Sequence, residues 1–168
     1  MKAKEGMPFV LNTRIALPPH FRPHEVLALH ARDAQQRAER VEGPRITKGL
    51  VWHGHPALLQ LQIDADAAWG SLAVDGRADS AAGSQPDLDA MVARMLGLSD
   101  AVDAFEHRHA DHPVLGPLLQ SQKGLRVPAS STPFEALVWS ITGQQISVAA
   151  AIALRRRMVE ASNVPHSS

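Results

Sequence analysis

Gln144, Gln145 and Ser147 stand where one helical pattern ends and the next begins, and that position gives them their chemical interest. They belong to the junction Gly143-Gln144-Gln145-Ile146-Ser147. A helix start presents unpaired backbone N–H groups at the positive end of a dipole, so it can receive a phosphate oxygen. On the bare pattern, glutamines that merely solvate a turn are the commoner case. Further along lie Arg155, Arg156 and Arg157. Successive helical side chains step around the axis by about 100 degrees, so the three cannot share one face. Phosphate contact is one reading of them. A solvated face, with its charge favourable near the helix C-terminus, is preferred. Trp139 lies off the apolar stripe of its helix; it could stack on a base, but such a residue more often packs against a neighbouring helix.

Other chemistries find little support. The chain has no cysteine, which removes disulfides, thiolate zinc sites and cysteine nucleophiles. His53-x-His55 and His109-x-x-His112 lack a third ligand at a familiar spacing, so surface or turn histidines are expected and no metal or cofactor. Seventeen basic residues balance seventeen acidic ones, so there is no global cationic footprint. No signal peptide and no membrane-spanning run is expected, and a soluble cytoplasmic protein is the default.

The elements that must position these residues follow from periodicity. Residues 9–16 suit a strand. Residues 24–41 read as a helix ended by Gly43-Pro44. Three strands follow, at 46–53, 57–63 and 68–74; Leu59, Leu61 and Ile63 alternate with Gln60, Gln62 and Asp64. Residues 76–84 read as a loop, and Ser84 as the cap of a helix carrying Leu88, Met91, Val92, Met95 and Leu96. Further helices are expected from Asp100 to about His109 and from Val114 to Leu119, with a linker at 124–128. Thr132 is placed as an N-cap, Pro133 at N1 and Glu135 at N3 of a capping box. Phe134, Leu137, Val138 and Ile141 then form an amphipathic stripe, and Gly143 supplies a left-handed helix end. A second stripe runs through Ile146, Ala149, Ala150, Ala153 and Leu154. Strands first and helices afterwards argue for an α+β fold, a mixed α/β unit with a small antiparallel sheet followed by helices alone.

The run Phe134-Glu-Ala-Leu-Val-Trp-Ser-Ile-Thr-Gly-Gln-Gln-Ile-Ser-Val-Ala-Ala-Ala resembles the opening of the catalytic domain of helix-hairpin-helix DNA glycosylases, closest to the DNA-3-methyladenine glycosylase II family. Pro113-Val-Leu-Gly-Pro-Leu-Leu and Lys123-Gly-Leu-Arg-Val-Pro resemble that family's bridge between domains. The resemblance implies an accessory α+β domain over 1–112, a bridge over 113–131, the first two catalytic-domain helices over 132–161 and a disordered tail over 162–168. It implies a base-excision repair hydrolase that flips alkylated purines out of duplex DNA, with the residue at the Gln145 position wedging into the stack. An aspartate in the family stabilises the positive charge that develops on the sugar. That residue follows a glycine-rich hairpin, and neither occurs here; Glu135 is explained by capping and Glu160 lacks a partner. The chain is therefore expected to be a truncated glycosylase, inactive alone, or a non-catalytic DNA-docking or partner-binding module of a split one. Its exposed stripe would seek the missing catalytic half or a second copy, and the neighbour of Trp139 would belong to that missing part.

Overall fold

The computed structural model describes residues 9–75, 83–98 and 101–162. Five strands, β1 (Phe9–Ala16), β2 (Glu39–Glu42), β3 (Arg45–Trp52), β4 (His55–Ile63) and β5 (Ala67–Val74), form one sheet in the order β1-β5-β4-β3-β2. Every neighbouring pair is antiparallel. The turn between β3 and β4 is His53-Gly54, with φ of 45° and 87°. Positive φ at both central residues is the hairpin turn whose twist matches that of the strands, with Gly54 adopting it freely.

Alternation along the strands separates two faces. Ile46, Leu59, Leu61 and Leu72 point to one side and are fully buried. Two helices cover that side, α1 (Pro23–His30) and α2 (Gln85–Met95). Val26 of α1 and Leu88, Val92 and Met95 of α2 complete the core. Ser84 and Asp87 close a capping box at the start of α2, with the Ser84 N–H donating to the carboxylate at 2.8 Å. Gly70 lets α2 approach β5 and β1: a Cβ there would meet Thr13 Cγ2 at 2.7 Å. Thr13 Oγ1 donates to Asp89 on α2 and fixes the same contact.

Residues 24–41 do not form one helix. The chain leaves α1 at Ala31, turns at Asp33, whose carboxylate accepts from Gln35 N–H at 3.0 Å, and passes through a left-handed Gln36 (φ 51°). Glu39–Glu42 is then the edge strand β2, and Gly43-Pro44 is its hairpin turn. Helix-forming side chains are overruled here by pairing to β3, which places Val41 opposite Ile46 and Glu39 opposite Lys48.

Beyond the sheet unit come α3 (Val102–Arg108), α4 (Leu115–Ser121), α5 (Pro133–Thr142) and α6 (Val148–Ser162). The expected cap Asp100, most of the loop 76–84 and the tail after Ser162 lie outside the described residues. His112 Nδ1 accepts from the N–H groups of Val114 and Leu115 at 3.2 and 3.1 Å and so caps α4. The segment 124–131 is tied down: Arg126 is buried and donates to Asp103 at 2.8 Å, and Arg94 of α2 donates to the Ser131 carbonyl at 2.9 Å.

Candidate nucleic-acid interface

Thr132 caps α5 as expected, its Oγ1 accepting from Glu135 N–H at 3.1 Å. At the far end the backbone departs from expectation. Gly143 is right-handed (φ −82°), and a Cβ there would sit 2.9 Å from the Trp139 carbonyl. The left-handed residue is Gln145, at φ 58°. A non-glycine residue in that region costs about 1 kcal/mol, and such strain is commonly held at functional turns. Ser147 caps α6: its Oγ accepts from Ala150 N–H at 3.2 Å and its carbonyl from Ala151 N–H at 3.0 Å. Gln144, Gln145, Ile146 and Ser147 are all exposed, and neither glutamine side chain is hydrogen-bonded to any other described residue. The turn thus offers two unengaged amides beside the start of a fifteen-residue helix.

A buried ionic cluster holds this hairpin of helices against the sheet. Lys48 points into the core side of β3, with its side chain 2% exposed. Its Nζ donates to Glu39 on β2 and to Glu135 on α5, each at 2.7 Å. Arg155 of α6 donates to Glu135 at 2.6 Å and lies 3.6 Å from Glu39. His30 Nδ1 donates to Glu39 at 2.7 Å. Burial alone would raise the Glu39 carboxyl, but the His30 hydrogen bond and the Lys48 charge outweigh it and hold it at about 2. Burial likewise opposes ionisation of Glu135, and Lys48 and Ser131 overcome it and lower its pKa.

These pairings correct four expectations. Glu135 does not return to the Thr132 N–H; it accepts from Ser131 N–H and Oγ at 3.1 and 2.8 Å while serving Lys48 and Arg155. Arg155 and Arg156 are not a solvated face, since Arg156 donates to Asp33 at 2.7 Å and pulls that carboxyl's pKa down. Trp139 finds its neighbours within this chain, the guanidinium groups of Arg32 and Arg155 at 4.3 and 5.0 Å from its ring, and burial lowers the Arg32 pKa. Glu160 has a partner in Arg37, at 3.3 Å. The cavity beneath Trp139 holds about 10 Å³, room for one water at most and none for a flipped base.

On their outer side, α5 and α6 remain open. Phe134 is 75% exposed, and Leu137, Ile141, Val148, Leu154 and Met158 are also exposed. Of these, Phe134, Leu137, Ile141 and Leu154 belong to the apolar stripes expected from the sequence, and they are uncovered. The cluster of Glu39 and Lys48 was not singled out from the sequence, although Lys48 shares the inward parity of Ile46.

No protein-family profile matches the chain, and no curated protein does. Among solved structures, a 3-methyladenine DNA-glycosylase from Archaeoglobus fulgidus is similar to it, with 18% sequence identity and a TM-score of 0.64 over 88% of this chain. The chain spans about half of that protein, 50% of its length. At this identity the match defines a fold: the chain has a distant glycosylase-like architecture. Among the described residues no helix is long and apolar enough to cross a membrane.

Proposed function

We propose that this chain acts as a base-excision repair protein of the 3-methyladenine glycosylase type, engaging duplex DNA containing alkylated bases without excising them alone. The observation that carries the reading is the glycosylase-like fold over most of the chain, joined to an exposed, strained turn at Gln144-Gln145. In this reading the α6 N-terminus receives a backbone phosphate, Ser147 orders that end, and Gln145 enters the base stack and hydrogen-bonds to the orphaned base. Excision needs a carboxylate at the sugar. Glu135 is held by Lys48, Arg155 and Ser131, and Glu160 lies on the surface beside Arg37, so neither acid of the helical hairpin is free for it.

The exposed apolar stripe favours a second, compatible reading: a partner-binding module of a split glycosylase, whose catalytic half or a second copy covers α5 and α6. The test is incubation of the purified chain with duplex DNA carrying 3-methyladenine or 7-methylguanine. Weak, salt-sensitive binding that Gln145→Ala reduces, without base release, is expected. Release above background that survives repurification would overturn the inactivity, and no binding at low salt would remove the DNA reading altogether.

A further inference from the structure

The face of the sheet turned away from the helical layer carries a row of aligned side chains. Register places Arg14 of β1, Trp69 of β5, Gln62 of β4 and Arg45 of β3 side by side. A second row beside it runs Asn12, Ser71 and Gln60. We propose that this face docks a single-stranded nucleic-acid segment, with Trp69 stacking on an unpaired base and Arg14 and Arg45 meeting phosphates on either side. These residues play no part in the reading given above for the α5–α6 turn.

Three observations carry the proposal. The Trp69 ring is 48% exposed, and the Arg14 guanidinium lies 5.0 Å from its centroid, so an aromatic face and a cation are presented together. Neither Arg14 nor Arg45 has a salt-bridge partner among the described residues. Two carboxylates border this face: Glu42, which the β2–β3 register sets opposite Arg45 and which lies 3.8 Å from Arg40, and Asp64 past the end of β4, accepting from Gln62 at 3.0 Å. Arg14, Arg40 and Arg45 against Glu42 and Asp64 leave this face one positive charge in excess, in a chain whose charges balance 17 to 17. Finally, Asn12, Arg45, Gln60, Gln62, Trp69 and Ser71 line a shallow depression of about 410 Å³. Three strand spacings separate the two arginines by about 14 Å, so a strand crossing the sheet can touch both while a base rests on the ring between them. A base paired within a duplex has no free face to offer Trp69, so the occupant is an unpaired strand.

The experiment is fluorescence anisotropy of a labelled oligothymidylate of about 15 nucleotides with the full chain, titrated at rising salt. Trp69→Ala is expected to weaken binding about tenfold or more, and Trp69→Phe to retain most of it. Arg14→Gln with Arg45→Gln is expected to reduce the log–log salt slope by about 1.4, roughly 0.7 for each lost phosphate contact. Gln145→Ala should leave this binding unchanged, which separates it from duplex engagement at the helical turn. All four positions lie on solvated surface, and unchanged thermal unfolding of each variant shows that the fold is kept. Absence of binding at low salt, or equal affinity in all the sheet variants, overturns the proposal. So does capture of an oligosaccharide, or a dimer dissolved by Trp69→Ala, where the strand itself does not bind.

Discussion

The pair Lys48–Glu135 offers the sharpest perturbation of this structure. Glu135→Gln keeps the shape of the side chain and removes its charge. Lys48, 2% exposed, and Arg155, 12% exposed, then share only Glu39, so one buried positive charge is left without compensation. Breaking a buried pair from one side costs about 3 kcal/mol or somewhat more. That cost should fall on α5 and α6 rather than on the whole fold. Their outer side is uncovered apolar surface, and their anchorage to the sheet unit includes this cluster, the Arg156–Asp33 pair at 2.7 Å, the Glu160–Arg37 pair at 3.3 Å and the contact of Arg32 with the Trp139 ring. At about 1.4 kcal/mol per tenfold, amide exchange in α5 and α6 should accelerate by about a hundredfold while β4 and β5 exchange as before. Lys48→Met alone leaves Glu39 and Glu135 facing a single Arg155 and should cost a similar amount. The double variant restores balance, with Arg155 against Glu39, and should be more stable than the sum of the two losses by about 2 kcal/mol. Denaturant unfolding and hydrogen exchange measure both effects. Additive losses, or a Glu135→Gln cost below about 0.5 kcal/mol, would refute the idea that this cluster fastens the helices.

Three further outcomes follow from the same geometry. Glu39, held at about 2 against an ordinary 4.5, has a depressed pKa, so its stabilising contribution is complete above pH 4.5 and is lost as pH falls towards 2; acid titration followed by circular dichroism should show the helices leaving in that window. Gln145→Gly relieves the left-handed strain at φ 58° and should raise stability by about 1 kcal/mol in thermal unfolding while weakening duplex binding. Phe134→Ser with Ile141→Ser should change stability by less than about 0.5 kcal/mol, since both are exposed, yet reduce binding of a hydrophobic dye and any self-association seen in sedimentation.

The sheet was legible where alternation is strict. Leu59, Leu61 and Ile63 fall inward as their parity requires, and β1 runs over the very residues expected of it. Ser84 and Thr132 announced their helices because capping is local chemistry. Residues 31–41 were misread because their helical propensity is overruled by a strand partner known only in three dimensions. The handedness of Gly143 was misread because glycine is permitted a left-handed conformation without being obliged to adopt it. The cluster at Lys48 was hidden because its members are far apart in the chain, 87 residues in the case of Lys48 and Glu135. The exposed stripe of α5 and α6 was readable from spacing, and the two unengaged glutamines between those helices stand where the sequence placed them.

The central claim is that the Gln144–Ser147 turn meets duplex DNA. Hydrogen exchange of the chain with and without a duplex carrying one abasic position tests it most directly. The account predicts slowed exchange at the amides of residues 144–150, absent in Gln145→Ala. Protection that spares this turn, or that is identical in the variant, would contradict it.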